Sequence, residues 1–247
     1  MARPVIVVPC YDEAERLDPG EILRLAETVD VHLADDGSRD RTADVFAKIA
    51  ADSAGRVVAV SNGRNLGKAE TVRRHMLAAC HEGASAVGFL DADLATPVAE
   101  LRRILQVFEA RRAEAATGAR IALAGRDIRR SAARHYAGRV FSTFASLAIG
   151  TTYYDTQCGA KVFRNSEALR AALAEPFLSR WAFDVELLGR LLAGAPAVAP
   201  VAASSLVEVP LEVWHDVAGS KLTLSDSWRS GLELALIWRD LRRRRRR

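Results

Sequence analysis

Two aspartates one residue apart, Asp91 and Asp93, follow the apolar run in VGFLDADLATP, residues 87–97. The apolar run predicts a buried strand, so both carboxylates would lie where that strand ends. Along an extended chain their side chains would point to opposite faces, but a turn would let one hold a metal ion while the other reaches a ribose or a metal-bound water. Mg²⁺ and Mn²⁺ prefer carboxylate oxygens and leave positions open for phosphate, so the pair predicts a cation and diphosphate site. On its own, an Asp-Xaa-Asp pair is more often a cap or a turn.

Other predicted strands also end in acidic and polar residues. PVIVVPC is followed by YDEAE, VDVHLA by DDGSRD, and GRVVAVS by NGRNLGK. In open parallel sheets, ligands bind outside the carboxyl ends of the strands, so these segments predict a nucleotide-sized site at one edge. GRNLGK has the wrong length for a P-loop and lacks a Ser or Thr after its Lys. The sequence therefore argues against an ATPase or a classical dinucleotide enzyme.

The order of the predicted elements indicates an α/β fold. Up to residue 126, strands and helices alternate, with the fifth strand placed at ARIALAGRD, which predicts a mostly parallel sheet with helices on both faces. Beyond residue 126 we predict an amphipathic helix or helix pair in SAARHYAGRVFSTFASLAIG and an irregular strand in DTQCGAKVFR. Two helices (SEALRAAL and FDVELLGRLLAG), a strand (SLVEVPLEVWH) and a final helix (LSDSWRSGLELALIWRDLRR) follow.

Length and composition fit one large α/β domain of 247 residues. An uninterrupted apolar stretch of about 18 residues is absent from the sequence, so no transmembrane helix is predicted, and the N-terminus lacks a signal-peptide pattern. The three cysteines, Cys10, Cys80 and Cys158, lack metal or redox spacing, and we interpret them as reduced thiols. These features predict a cytoplasmic protein.

The net charge of +4 originates in the C-terminal tail. Six of the 35 Lys and Arg residues are Arg242–Arg247, which leaves 29 basic against 31 acidic residues in the rest of the chain. The tail is either a disordered solubilising end or a contact with anionic lipid, worth about 1 kcal/mol per basic residue. We predict no nucleic-acid binding, because the rest of the chain has no basic stripe interleaved with aromatic residues. Two segments could dock on a membrane as interfacial helices, with ordinary core packing as the alternative: YAGRVFSTFASLAIGTTYY and LELALIWRDLRRRRRR.

Several of these segments resemble those of a known family. VVPCYDEAERL, ADDGSRDRT, NLGKAETVRRHMLAA and LDADLATP resemble the inverting family 2 glycosyltransferases, which have the GT-A fold. DTQCGAKVFR and RWAFDVELL narrow the resemblance to the branch of dolichyl-phosphate β-glucosyltransferases and dolichyl-phosphate mannose synthases. The resemblance implies a catalytic domain over residues 1–222, with a nucleotide-sugar half (1–126) and an acceptor half (127–222). The remaining residues, 223–247, would form a C-terminal amphipathic helix and the arginine tail.

The resemblance also implies roles for individual residues. Asp91 and Asp93 would hold Mg²⁺ or Mn²⁺, Arg126 and Arg139 would bind the acceptor phosphate, and Asp184 would orient the sugar or the arginines. The residues implied in catalysis are Asp93, Arg126, Arg139 and Asp184. The residues implied in nucleotide-sugar binding are Pro9, Tyr11, Glu13, Asp36, Lys68, Asp91, Gln157 and Lys221.

The resemblance further implies transfer of a hexose to a polyprenyl phosphate. The mannose synthases have a glutamine two residues after the second aspartate, whereas this chain has Ala95, like the glucosyltransferases, which favours UDP-glucose as donor. A lipid phosphate is already anionic and needs arginines to hold it rather than a general base. The expected partners are a nucleotide sugar, a polyprenyl phosphate and an anionic membrane, with the protein peripheral at its cytoplasmic face. A GDP-mannose enzyme, a family 2 transferase with a soluble acceptor, and a nucleotide-sugar-binding membrane-associated module without turnover remain alternatives.

Overall fold

Strands and helices alternate through the first half of the chain, as the sequence predicts. The computed structural model describes residues 2–129, 132–216 and 224–246. Within these ranges the strands are β1 (Val5–Cys10), β2 (Asp30–Asp35), β3 (Val57–Ser61), β4 (Ala86–Leu90), β5 (Ala115–Ala119), β6 (Asp127–Arg129), β7 (Ala160–Arg164), β8 (Leu206–Pro210) and β9 (Val213–His215). The helices are α1 (Pro19–Ala26), α2 (Thr42–Asp52), α3 (Lys68–His81), α4 (Val98–Arg111), α5 (Ala132–Ile149), α6 (Glu167–Ala174), α7 (Phe183–Ala193) and α8 (Leu224–Arg244).

The main sheet brings the polar strand ends to one edge. Among the described residues, seven strands pair in the order β3-β2-β1-β4-β7-β5-β8, and only β7 runs antiparallel to its neighbours. Cys10 pairs with Asp35, and Asp35 pairs with Ser61, so β1, β2 and β3 end together. The prediction of a mostly parallel sheet is confirmed, and the segments after these strands share one edge.

Helices cover both faces of the sheet because alternate strand residues point to opposite sides. Val5 and Val7 of β1 belong to the core under α3 and α5–α8, whereas Ile6 and Val8 belong to the core under α1, α2 and α4. These strand residues are almost completely buried, which is why strands covered on both sides read as continuous apolar runs.

Two predicted strands differ from the structure. The fifth strand is β5, with the sequence AATGA, and the segment 121–126 that was predicted as part of it is not a strand. The strand predicted in SLVEVPLEVWH divides into β8 and β9. β8 belongs to the main sheet, and β9 pairs with β6 in a separate two-stranded sheet.

The C-terminal helix α8 packs on the domain and extends into the arginine tail. Leu234, Ile237 and Leu241 are buried in the core beneath α8. The tail is therefore not a disordered end through its first arginines: helix continues to Arg244, which forms ion pairs with Asp240 and Glu175. In the part of the chain that is described, no helix combines the length and apolarity needed to cross a bilayer.

Candidate active site

The Asp91–Asp93 pair lies in a turn directly after the buried strand β4. The Asp91 backbone N–H donates to the Gly159 carbonyl (2.9 Å), and the Asp93 carboxylate accepts from the Ala95 N–H (3.1 Å). Leu94 has φ of 50°, a left-handed conformation that is uncommon for a branched residue and marks a strained site. The Leu94 backbone N–H donates to the Asp91 carbonyl (3.1 Å), so the chain turns at the two aspartates, as a shared ligand site requires.

Gly159 sets how closely Asp91 can approach the next segment. A Cβ atom built on Gly159 would lie 2.5 Å from both Cγ and Oδ2 of Asp91, closer than carbon atoms tolerate. Only glycine fits at this position without displacing the carboxylate. Gly159 immediately precedes β7, so the antiparallel strand β7 and the end of β4 define the position of Asp91 together.

Lys68 supplies a positive charge to the aspartate pair. It is the first residue of α3, and its Nζ lies 2.6 Å from Asp91 Oδ1. Burial alone would lower the pKa of Lys68, but the carboxylates of Asp91, Asp184 and Asp93 raise it above its ordinary value. Lys68 thus remains charged and compensates part of the negative charge of the pair.

The pair still carries excess negative charge. Burial, and then the charge of Asp91, raise the pKa of Asp93 despite the hydrogen bond from Ala95. Two partly buried carboxylates so close in the chain suit a divalent cation, which favours oxygen ligands. No cluster of three or more His, Cys, Asp or Glu side chains that could hold a metal occurs among the described residues. Asp91 and Asp93 would therefore supply two ligands, leaving other positions for phosphate and water.

Asp184 lies behind Lys68 at the start of α7. Its side chain is buried, and its Oδ1 is 3.5 Å from Nζ of the completely buried Lys161. Burial raises the pKa of Asp184, although Lys161 and Lys68 act to lower it. Asp184 and Lys161 form a buried charge pair, and the charge of Asp184 also acts on the more exposed Lys68.

A second buried ion pair, between Arg120 and Asp155, lies on the other side of Gly159. Arg120 Nε and Nη2 donate to the two Asp155 oxygens (2.6 and 2.8 Å), and the Arg120 backbone N–H adds a third bond (3.0 Å). Burial would raise the pKa of Asp155, but the Arg120 guanidinium holds it well below its usual range. Glu208 completes the network by accepting from the backbone N–H groups of Tyr154 and Asp155 (2.7 and 2.8 Å).

A small recess beside this ion pair carries arginine and polar side chains. Arg139 on α5 donates to the Tyr154 carbonyl (2.9 Å), and its guanidinium lies 3.8 Å from the centre of the Tyr154 ring. The residues that line the recess are Arg120, His135, Gly138, Arg139, Ser142, Tyr154, Asp155 and Gln157. Of the predicted site residues, the structure thus brings Arg139 and Gln157 together.

Arg126 does not follow the fifth strand, because that strand ends at Ala119. Arg126 instead donates to the Pro210 carbonyl (2.9 Å) and lies 3.8 Å from Glu212. The arginine that does follow β5 is Arg120, which the sequence-based prediction missed. The sequence does show Arg120 directly after the run AATGA. That run is difficult to recognise as a strand, because it is poor in the β-branched residues that favour strands.

The predicted nucleotide-binding residues lie at the shared strand edge. Pro9 is the penultimate residue of β1, and Tyr11 and Glu13 follow that strand. Asp36, which follows β2, accepts four hydrogen bonds from its own chain, so it fixes the loop that leads to Lys68. Its donors are Asn62 Nδ2, the Leu66 and Gly67 N–H groups and the Thr71 hydroxyl. The last predicted donor ligand, Lys221, lies outside the described residues.

Comparison with known proteins identifies the family. The sequence profile described as glycosyl transferase family 2 matches residues 5–170. This chain belongs to that family. The family 2 chain is 31% identical to the dolichyl-phosphate beta-glucosyltransferase of Drosophila melanogaster, covering 94% of this chain and 73% of the relative. It is 27% identical to a dolichyl-phosphate beta-glucosyltransferase of Trichomonas vaginalis, covering 94% and 69%.

Solved structures of other glycosyltransferases share the fold of this family 2 chain. The Mycobacterium tuberculosis glucosyl-3-phosphoglycerate synthase, solved with Mn²⁺, UDP and glucosyl-3-phosphoglycerate, matches with a TM-score of 0.65 and 16% identity. The match covers 97% of this chain and 80% of that one. The protein is therefore a glycosyltransferase with the GT-A fold, as the sequence motifs predicted.

Proposed function

We propose that this enzyme transfers glucose from UDP-glucose to a polyprenyl phosphate, with inversion at the anomeric carbon and with Mg²⁺ or Mn²⁺ as cofactor. The observation that carries the proposal is the segment 155–159, which joins two regions of opposite charge. At one end, Gly159 contacts Asp91 of the acidic pair. At the other end, Asp155 and Gln157 line the recess with Arg120 and Arg139. A donor diphosphate with its cation and an anionic acceptor need two such regions side by side.

On the donor side, Asp91 and Asp93 would hold the cation, and Lys68 would orient Asp91 through their 2.6 Å contact. When bound, a divalent cation would neutralise the diphosphate and stabilise the departing UDP. Asp184 would keep Lys68 in place from the buried side. Pro9, Tyr11 and Glu13 would line the nucleoside pocket, because they lie at the edge where parallel sheets bind ligands.

On the acceptor side, Arg139 would hold the lipid phosphate. Arginine matches phosphate oxygens with two parallel N–H donors, and the Tyr154 carbonyl and ring fix the guanidinium. An ionised phosphate needs no proton removed before it attacks, so a dedicated base is unnecessary. The names of the Drosophila and Trichomonas relatives support both a glucosyl donor and a dolichyl phosphate acceptor.

The direct test supplies the enzyme with labelled UDP-glucose, a short-chain polyprenyl phosphate and Mn²⁺. The expected result is label in the organic phase that disappears with EDTA and returns when excess Mn²⁺ is added. A parallel reaction with GDP-mannose tests the donor, since label from that donor alone would contradict the assignment of UDP-glucose. Binding of UDP without any lipid-phase label would contradict the assignment of the acceptor.

We further propose that α5 and α8 dock on the cytoplasmic face of a membrane that contains anionic lipid. The α5 stripe consists of Tyr136, Val140, Phe144 and Leu147, which are 59–71% exposed. Their spacing of three and four residues places them along one side of the helix. A polar solvent does not favour such a stripe, whereas an interfacial helix uses one to enter the headgroup region.

Helix α8 adds basic residues to this surface. Leu232 and Leu236 are exposed on the side away from the buried Leu234 and Ile237, and Arg239 and Arg243 continue that exposed side toward the C-terminus. α8 also packs against α5, where Arg245 donates to the Ile149 carbonyl. Apolar residues followed by arginines complement an apolar bilayer interior beneath anionic headgroups.

Vesicle sedimentation tests this docking separately from catalysis. Phe144→Glu is expected to reduce binding to vesicles that contain one-third phosphatidylglycerol, and neutral vesicles are expected to bind the wild type more weakly. Val58→Glu is the matched control, because Val58 is 47% exposed on β3 at the far edge of the sheet. Equal vesicle binding by Phe144→Glu and Val58→Glu would refute the docking surface.

A further inference from the structure

The loop 178–182, between α6 and α7, is held by two carboxylates from different helices. Glu186 of α7 accepts from the backbone N–H groups of Leu178 and Ser179 (2.9 and 3.1 Å). Glu233 of α8 accepts from the Ser179 hydroxyl and from the backbone N–H of Trp181 (3.3 Å). A surface loop ordinarily exposes its N–H groups to water, so two carboxylates fixing one short loop indicate that its position matters.

Glu186 makes this arrangement costly to maintain. Its side chain is completely buried, and its charge is compensated by Arg190 at 2.6 Å. Burying an ion pair costs desolvation free energy that the pair itself barely recovers. Apolar residues would have stabilised the helix junction at least as well, whereas only acceptors can orient the loop N–H groups.

Arg180 lies at the centre of this loop and points to the donor region. A Cβ built on Gly67 would lie 2.9 Å from Nη2 and 3.3 Å from Nε of Arg180, so the guanidinium rests directly against Gly67. Gly67 has φ of 88° and immediately precedes Lys68, whose Nζ contacts Asp91. The guanidinium is therefore one residue from the side chain that contacts the aspartate pair.

The Arg180 guanidinium has no protein acceptor within the described ranges of the chain. The side chain is exposed, although its five N–H donors could serve a carboxylate if one were near. By contrast, Arg73, Arg103 and Arg120 on other elements each form a close ion pair with a carboxylate. A guanidinium on a fixed loop, with no acceptor among the described residues, is suited to an anion that arrives from solution.

We infer that Arg180 binds a phosphate oxyanion of a substrate and that Glu233 is a positioning residue for it. The inference rests on the proposed function for the identity of the anion, which is either the donor diphosphate or the acceptor phosphate. Glu233 belongs to α8, the helix that extends into the arginine tail. Through Glu233, α8 contacts the loop 178–182 that carries Arg180. A shift of α8 would therefore move Arg180.

The test measures UDP binding in the presence of Mg²⁺ by calorimetry and, separately, the KM for a short-chain polyprenyl phosphate. Arg180→Gln is expected either to raise the Kd for UDP or to raise the acceptor KM, in each case about tenfold. This is the effect of losing a charge-assisted hydrogen bond. Weaker UDP binding assigns Arg180 to the donor, whereas unchanged UDP binding with a raised acceptor KM assigns it to the acceptor. Glu233→Gln is expected to shift the same quantity about threefold with little change in kcat, and Arg180→Lys to retain part of the affinity.

Arg74→Gln is the matched control, because Arg74 is an exposed arginine on α3 and the substitution removes the same charge. If Arg180→Gln and Arg74→Gln have equal UDP affinity and equal acceptor KM, the inference is overturned. Thermal unfolding of both variants identifies any loss of fold. A wild type that binds UDP but transfers nothing to the lipid would contradict the proposed function alone. In that case weaker UDP binding by Arg180→Gln than by Arg74→Gln would support the inference, and equal UDP binding by the two variants would overturn it.

Discussion

Two regions that contain carboxylates lie on either side of Gly159, and their carboxylates are neutralised in different ways. Asp155 accepts three hydrogen bonds from Arg120 and one from the Gln157 N–H, and its pKa lies well below the usual range because of the Arg120 guanidinium. Burial and the neighbouring charge of Asp91 raise the pKa of Asp93. One carboxylate is saturated by its own protein, and the other carries charge that the protein does not fully compensate.

The contrast separates a carboxylate that builds the site from a pair that binds within it. Asp155 has no remaining capacity for a ligand, so its contribution is to present Arg120, Gln157 and the segment leading to Gly159. Within the described ranges, Lys68 is the cation that forms an ion pair with Asp91, and Asp93 forms none, which leaves room for another cation. Perturbed pKa values occur in both structural and functional sites, and here the direction of the shift distinguishes them.

The largest expected effect is on catalysis in Asp93→Asn. Removing one ligand of the proposed cation should lower transfer roughly 10³-fold, since cation stabilisation of a leaving group contributes several kcal/mol. The same substitution removes a like charge beside Asp91, so the free energy of unfolding in EDTA should stay level or rise. Initial transfer rates and urea unfolding in EDTA measure the two quantities.

A stability loss in Asp93→Asn would break the comparison, because it would show that Asp93 also supports the fold. Asp52→Asn provides the baseline for both measurements. Asp52 is exposed at the end of α2 and remote in sequence from the Asp91–Asp93 pair and from Asp155.

The next effect is on folding, in Asp155→Asn. Breaking a buried pair leaves the Arg120 charge uncompensated and should lower the free energy of unfolding by about 3 kcal/mol. Chemical denaturation with urea provides this value. Asp127→Asn, which breaks the exposed pair with Arg129, should leave the midpoint close to that of the wild type, because solvent screens exposed pairs. Equal urea midpoints for Asp155→Asn and Asp127→Asn would show that the buried Asp155 pair stabilises the fold no more than an exposed pair.

Gly159→Ala tests the boundary between the two regions. The added methyl group would sit 2.5 Å from Asp91 Cγ and push the carboxylate away, so the transfer rate should fall about a hundredfold and Mn²⁺ affinity should decrease. Gly231→Ala is the control, because a Cβ at Gly231 meets no atom within 4 Å. Unchanged Mn²⁺ affinity in Gly159→Ala, measured by titration in the presence of UDP, would show that Asp91 tolerates displacement.

The sequence located the strand before the acidic pair better than the strand before Arg126, for a physical reason. VGFL is apolar at each position, so the end of β4 could be placed from local pattern alone, and Asp91 and Asp93 with it. β5 consists of AATGA and is a strand because β7 and β8 pair with it on either side. A Cβ at Gly118 would lie 2.7 Å from Cys158 Sγ, so this strand uses small residues to accommodate a neighbour distant in sequence.

That error placed Arg126 directly after the fifth strand, a position that Arg120 occupies. IALAG has stronger strand propensity than AATGA, and propensity alone therefore placed the fifth strand too late in the chain. The contact of Arg180 with Gly67 could not be predicted at all. It joins residues separated by more than a hundred positions, through a loop that two other helices hold in place.

The smallest expected effect concerns pH and tests whether the saturated region is the source of acid sensitivity. Because the pKa of Asp155 is depressed in the folded protein, Asp155 stabilises the fold fully above pH 3.8, the pKa of the unfolded chain. This stabilisation is lost only in stronger acid. Stability lost between pH 7.5 and 5.5 must come from another group. Burial lowers the pKa of His32 on β2 from 6.5, against the opposing charges of Glu82 and Asp30, and burial also lowers that of the neighbouring His75.

A histidine with a depressed folded pKa stabilises the fold fully above its unfolded pKa, and this contribution is lost as pH falls, because the unfolded chain binds the proton more readily. The wild type should therefore lose free energy of unfolding from pH 7.5 to 5.5, by at most ~1.4 kcal/mol per pH unit for each histidine. In His32→Gln the difference between the two pH values should shrink, even if the variant is less stable at both. An unchanged difference would assign the acid sensitivity to other groups and would leave the contrast between Asp155 and the Asp91–Asp93 pair intact.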